Sequence, residues 1–210
     1  MSKQINYQFP NFGPFLFKTN LPEDLILFLL KHAHKTKDSF NSNLAGHIDN
    51  QFKYSDEIKK WFYSNIGPYF NVYRKAHCEY HGIENLPIEL EGAHLWVNFM
   101  QAGEYNPPHT HFGDYSFVIY LDVPKEIEEE ANEFQGSDVK PGGIKFIFTQ
   151  EARPKWASTE HRFFPKTGEM FIFPALLQHH VAPFKSNVTR ISVSGNLMIK
   201  NRSELPDNYF

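Results

Sequence analysis

The sequence holds a single cysteine, Cys78, so no disulfide can join two points of this chain, and no cysteine-based zinc knuckle can form. Long apolar runs are missing as well. The longest near the start, Leu25 to Leu30, is far too short to cross a bilayer. The opening residues, Met1 to Asn6, are polar and carry no apolar signal core. Basic charge is not in excess: 21 Lys and Arg stand against 24 Asp and Glu, for a formal net charge of −3. That balance offers no positive field to hold a phosphate backbone. Repeats and low-complexity tracts are absent, and acidic residues cluster only once, between Lys125 and Gly136. These gaps predict a soluble, cytoplasmic protein with no nucleic-acid partner and no membrane partner.

Aromatic residues, in contrast, are plentiful, with 21 Phe and 10 Tyr in a share of 16%. Flat rings fill pleated surfaces well, which favours a β-rich fold. The 210 residues suit one domain, 1–210, with a sizeable core. Within it we expect a mainly helical support over 1–86, a β core over 87–200 and a tail over 201–210.

Helix signals dominate the first third. Leu21-Pro22-Glu23-Asp24 places proline early and acids in the first turn, where they meet the positive end of the helix dipole. Lys31, Lys35 and Lys37 then close the helix. Asn41 to Gly46 is turn chemistry. A second helix begins near Ser55-Asp56-Glu57, with Ile58, Trp61, Phe62 and Ile66 on one side. Gly67-Pro68 is expected to kink or break it before it resumes towards His81.

Strand signals take over from about Pro87. Between Ile88 and Met100 the residues alternate, with His94, Trp96, Asn98 and Met100 on one face and Leu95, Val97 and Phe99 on the other. Further strands are expected over Ser116–Val123, Ile144–Phe148, Glu169–Phe173 and Val188–Ile199. Many short strands punctuated by Gly and Pro after a helical start imply a sandwich or barrel with helices packed outside. The acidic stretch from Lys125 to Gly136 reads as a solvated loop or short helix, or alternatively as a mobile cover over a site.

Two segments carry the chemistry. In Asn106 to Asp114, His109 and His111 are separated by one residue, so on an extended chain both face one point. Asp114 follows across Gly113 and could swing a carboxylate to the same place. Imidazole and carboxylate ligands suit a divalent first-row metal and leave coordination positions open. In the second segment a strand ends at Phe173-Pro174, and His179 and His180 enter the next extended piece on opposite faces, so one of them is a ligand candidate. Downstream, Arg190, Ser192, Ser194 and Asn196 share one face, with Ile191, Val193 and Leu197 on the other. An arginine facing the inside of a barrel needs an anion, from an internal acid or from a ligand carboxylate gripped by its planar fork.

The order His-x-His, then Ser116-Phe117-Val118-Ile119-Tyr120-Leu121, then Phe173-Pro174 with His179-x-Val181 and Arg190-x-Ser192, resembles the 2-oxoglutarate/Fe(II) oxygenases. The likeness runs from about Glu91 to Ile199 and points to small bacterial and phage members near the prolyl-hydroxylase-like branch. A weaker likeness to phage-type members covers Phe12-Gly13-Pro14 and Leu44-Ala45-Gly46. The resemblance implies a mainly β fold with N-terminal helices: a double-stranded β-helix (jelly-roll, cupin-like) core with helices packed outside. It implies Fe(II) as cofactor, with 2-oxoglutarate and O2 as co-substrates. Hydroxylation of a peptide or protein side chain such as proline would then release succinate and CO2.

Carried over by position, the resemblance makes His179 the distal iron ligand and has Arg190 grip the far carboxylate of 2-oxoglutarate. Ser192, Tyr120 and Asn98 are further candidates around the co-substrate, and the metal centre supplies the only catalytic groups expected. The usual pattern places an acid where this chain has His111. Three ligand sets follow: His111, Asp114 and His179; His109 in place of His111; or all three histidines. Trp96 reads as core packing or a substrate contact, Tyr105 as a second hydroxyl for the co-substrate, and His94 as a satisfied structural histidine. His32, His34, His47, His77, His81 and His161 have no spacing that demands a metal. The competing reading is a cupin-like metal-binding or structural module without oxygenase activity.

Overall fold

The structure is a computed structural model that describes residues 11, 13–148 and 159–205. Met1 to Asn6, Phe12 and the end of the 201–210 tail lie outside the described residues. The first long helix, α1, spans Glu23–Ala33 and starts directly after Pro22, with Glu23 and Asp24 in its first turn. It buries Leu25, Ile26, Leu29 and Ala33, one stripe at helical spacing. The second helix, α2, spans Asp56–His81. The Ser55 hydroxyl accepts a hydrogen bond from the Ile58 N–H at its start, and Gly82 ends it with φ of 66°.

Pro68 lies inside α2, and the helix runs through it unbroken. Proline removes one backbone bond there, but Phe62, Ile66, Phe70 and Tyr73 are all buried along one side of the helix. Apolar burial along both halves outweighs the single lost bond. The acidic stretch forms a short helix, α3, over Lys125–Glu133, and buries Ile127 and Ala131.

Eleven strands complete the described residues. The strands β1 (Phe17–Asn20), β2 (Asp38–Ser39) and β3 (Asn50–Lys53) lie in the first third, which the sequence pattern marked as helical. Then follow β4 (Leu90–Met100), β5 (Asn106–His109), β6 (Tyr115–Asp122), β7 (Ile144–Ile147), β8 (Glu160–Phe163), β9 (Glu169–Pro174), β10 (Gln178–Val181) and β11 (Arg190–Ile199). They form a seven-stranded sheet in the order β1-β9-β6-β11-β4-β3-β2 and a four-stranded sheet in the order β5-β10-β7-β8. All pairings are antiparallel.

Alternation along the strands decides what each face meets. Leu95, Val97, Phe117, Ile119, Ile172, Ile191 and Val193 of the large sheet pack with Leu29, Phe62, Ile66 and Phe70 of the two long helices. Met100, Tyr120, Phe171 and Phe173 point the other way and pack with Ile144, Phe146 and Val181 of the small sheet. Helices therefore cover one side of the large sheet and the small sheet faces its other side, the jelly-roll arrangement. The space between the two sheets holds the candidate site.

Candidate metal centre and co-substrate cavity

His109 is the last residue of β5, and its Cα lies opposite that of His179 in β10. Cross-strand neighbours on one face stand close enough for their side chains to meet, and the two ring centroids are 4.3 Å apart. His111 lies just beyond β5, where its N–H donates to the Ala175 carbonyl at 2.8 Å. That bond ties it to the turn between β9 and β10. The result is a cluster in which one ligand atom from each of His109, His111 and His179 lies within 4.8 Å of the others. Among the described residues it is the only such group of metal-ligating side chains.

Hydrogen bonds fix which ring nitrogen is available. His109 Nδ1 lies 2.7 Å from the Pro107 carbonyl, and His179 Nδ1 lies 2.9 Å from the Leu177 carbonyl. A carbonyl only accepts, so each Nδ1 carries the proton and each Nε2 keeps a bare lone pair, the arrangement of a metal-ligating imidazole. His111 Nε2 approaches His179 Nε2 at 3.2 Å. Two imidazole nitrogens on adjacent corners of one ion, each at about 2.1 Å, stand about 3 Å apart.

Burial keeps the rings neutral. It lowers the His109 pKa and pushes His111 down to about 3, with the charge of His109 adding to the second shift. His179, only 4% exposed, is held well below the usual histidine value by burial and then by the two other rings. Phe146, Phe173 and Trp96 surround the cluster and supply that dry environment.

Asp114 does not join the cluster. Gly113 takes φ of 101°, and a side chain there would press on the Leu197 carbonyl, so the chain turns towards the end of β11. The Asp114 carboxylate accepts from the Ile199 N–H at 2.7 Å and pairs with Arg202. Its backbone is tied to Leu197 and Ala175. The acid expected as a ligand in two of the three sets thus fastens β11 to the loop after the histidines.

A cavity of about 330 Å³ opens from the histidines and is lined on the large-sheet side by Trp96, Asn98, Tyr120, Arg190 and Ser192. Arg190 is 2% exposed. Its Nη1 donates to the Gly142 carbonyl at 2.6 Å, its Nη2 meets the Met100 sulfur at 2.9 Å, and its Nε has no partner. Its guanidinium lies over the Tyr120 ring at 5.5 Å. The Tyr120 hydroxyl is buried without a partner, and burial pushes its pKa up to about 12. Among the described residues no carboxylate pairs with Arg190. A buried cation beside two orphaned donors is costly unless an anion completes it.

Asn98 bonds to three cavity residues. It accepts from Gln51 Nε2 at 2.7 Å, and its own amide N–H group faces the hydroxyls of Ser192 and Ser194, each at 3.4 Å. Tyr105 is stacked on His47 and lies outside the cavity lining. His94 departs from the satisfied histidine expected: it lines the cavity, and its Nδ1 is buried without a partner. Gln51 went unnoticed in the sequence. No local pattern marks it, and only the pairing of β3 with β4 brings it to Asn98.

Residues 94–196 match the family model described as "Putative 2OG-Fe(II) oxygenase". The match spans 103 of the 210 residues, and over that stretch the chain is similar to this family. The matched stretch contains the three histidines, Arg190 and all of the cavity's large-sheet wall except Gln51. No curated protein matches the sequence. Among solved structures, the fold is similar to that of the viral collagen prolyl hydroxylase of Paramecium Bursaria Chlorella virus-1 in its 2OG complex. That match has a TM-score of 0.55 at 15% identity and covers 87% of this chain and 94% of that one. It is also similar to HygX from Streptomyces hygroscopicus with nickel, 2-oxoglutarate and hygromycin B bound (TM-score 0.57, 7% identity, 90% of this chain and 84% of that one). A third match is the Trichoplax adhaerens prolyl hydroxylase in complex with a hypoxia inducible factor oxygen degradation domain peptide fragment. Its TM-score is 0.52 at 13% identity, over 93% of this chain and 88% of that one.

The family implies Fe(II) and 2-oxoglutarate. The residues present fit both groups: three buried, neutral imidazoles for the metal, two of them with Nε2 left bare, and an arginine lacking an acid for a carboxylate. No helix among the described residues is long and apolar enough to cross a membrane.

Proposed function

We propose that this chain is an Fe(II)- and 2-oxoglutarate-dependent dioxygenase that hydroxylates a peptide or protein side chain such as proline. The observation that carries the reading is Arg190. Its buried guanidinium has no acidic partner among the described residues and shares one cavity with three imidazoles. His109, His111 and His179 would hold the metal, and Arg190 with Tyr120 and Ser192 would receive the far carboxylate of 2-oxoglutarate. When bound, iron would let O2 oxidise both partners, one oxygen atom passing into succinate as 2-oxoglutarate loses CO2 and the other into the hydroxylated side chain.

The chain's own residues contribute orientation and dryness. The Leu177 and Pro107 carbonyls hold two imidazoles in the ligating tautomer. Gly142 and Met100 hold the guanidinium in place before any ligand arrives, which limits the ordering cost of binding. Phe146, Phe173 and Trp96 exclude water from the metal side. Peptidyl proline is favoured as the substrate class by the two prolyl hydroxylases of similar fold.

The test adds Fe(II) and 2-oxoglutarate without oxygen, looks for the weak visible charge-transfer band, and measures succinate once oxygen is admitted. The wild type should show both. His179→Ala should lose the band, and Arg190→Ala should need far more 2-oxoglutarate to produce it. No band and no succinate from the wild type would overturn the reading.

A further inference from the structure

The cavity has a second polar pole that the co-substrate does not explain. A single row of side chains crosses four strands: Gln51 in β3 pairs with Asn98 in β4, Asn98 with Ser192 in β11, and Ser192 with Tyr120 in β6. Tyr120 and Ser192 belong to the Arg190 side. Gln51 ends the row on the opposite side. It is 1% exposed, yet lines the cavity, and its Oε1 has no hydrogen-bond partner. Its Nε2 is committed to Asn98, so the amide cannot turn to relieve the oxygen without breaking that bond.

The loop over this end of the cavity packs close to Gln51. Gly46, on the loop that roofs this end, approaches so closely that a methyl there would collide with the Asn106 side chain and lie 3.3 Å from Gln51 Nε2. The loop is held in place by Asn41, whose amide donates to the Ile48 and Asp49 carbonyls, and by the backbone bridge between His47 and Tyr105. The second orphan at this end is His94 Nδ1, whose ring packs on Phe40, as does that of Trp96.

Charge narrows what can bind. Among the described residues lining the cavity there is no Asp, Glu or Lys, and Arg190 is the only permanently charged side chain. A cationic group entering here would be desolvated with no anion to meet it, beside a guanidinium. An anionic group would meet an unpaired amide oxygen. A neutral N–H satisfies that oxygen at no electrostatic cost.

We infer that Gln51, positioned by Asn98, is a specificity-determining residue that accepts a hydrogen bond from a neutral amide N–H of the primary substrate. The substrate class is then an uncharged peptide segment, not a free amino acid, an acid or a basic side chain. This inference rests on the oxygenase reading for its substrate, but not for its hydrogen bond.

The test uses acetylated and amidated Ala-Pro-Ala, together with ester analogues in which each backbone N–H is replaced in turn by oxygen. Binding is measured by anaerobic calorimetry, with and without Fe(II) and 2-oxoglutarate. In the wild type one ester position should weaken binding at least about tenfold, because the buried oxygen loses its donor. In Gln51→Met, which is close in shape, the amide peptide should bind about as weakly as that ester, and the ester change should cost nothing further. Peptides with lysine or glutamate in place of the proline should bind at least about tenfold more weakly than the parent.

Equal binding by every ester, or full affinity in Gln51→Met, would overturn the inference. Absence of binding by any blocked peptide would overturn it too. Should Gln51→Met fold poorly, the ester series on the wild type decides. A missing charge-transfer band with Gln51-dependent binding intact would remove the oxygenase reading and leave the subsite. The reverse pair of results would remove only the subsite.

Discussion

Asp114 and Arg190 show how little residue type alone says about role. Both are charged groups close to the candidate site, and their surroundings give them opposite parts. Asp114 has its oxygens engaged by Ile199 N–H and Arg202. Asp114→Ala should therefore leave metal affinity at the wild-type level, while removing about 1–2 kcal/mol of stability through the freed Ile199 N–H. Calorimetric metal titration and a denaturant melt on the same variant check both halves, and a large loss of metal affinity would return the carboxylate to the ligand set. Arg190 is the reverse case. With no acid beside it, the guanidinium is a cost to the ligand-free fold. Arg190→Met should raise the melting temperature of the ligand-free protein while weakening 2-oxoglutarate binding by about a hundredfold or more. A lower melting temperature would mean that the bonds to Gly142 and Met100 already offset the burial of the charge.

At the scale of elements, the alternation in β4 and β11 was readable because each strand is long and has different chemistry on its two faces. Those strands carry Asn98, Arg190 and Ser192, so that wall of the cavity was visible from pattern alone. The edge strands were not. β1, β2 and β3 are at most four residues long, and their pairing partners are distant in sequence except between β2 and β3. Nothing local distinguishes Asn50–Lys53 from loop, which is why Gln51 escaped notice. β5 contains two prolines in four residues, a composition that reads against a strand, and only the edge position of β5 in its sheet tolerates it. Pro68 misled in the other direction, since helix-breaking is local and the burial that overrules it is not. The helix layer itself depends on Phe117, which stacks on Phe62 at 5.5 Å and meets Phe70 edge-on at 5.7 Å. Phe117→Ala should cost about 3–5 kcal/mol, read as a fall in the denaturant midpoint.

For the molecule as a whole, the buried imidazoles link stability to acidity. His111 is held down to about 3 and His77 to about 4, both chiefly by burial, from an ordinary value of 6.5. An unfolded chain takes up protons at these sites near 6.5, whereas the folded chain does not until far lower. Between those values the unfolded state binds more protons, so stability is full above about pH 6.5 and falls as the pH drops through the window. Melts of the metal-free protein should show the decline between about pH 6.5 and 5, before carboxylates titrate. A flat profile there would contradict the burial assigned to these rings.

The seven-stranded sheet has its last strand in its middle. β11 lies between β4 and β6, which are made long before it and do not pair with each other in the folded sheet. During synthesis the native order of the large sheet cannot be completed until residues 190–199 leave the ribosome. Arg190 sits on that closing strand, and the loop after His111 is fastened to its far end by Asp114. A nascent chain therefore lacks the wall that carries Arg190 and Ser192, and the cavity beside the three histidines is complete only in the finished protein.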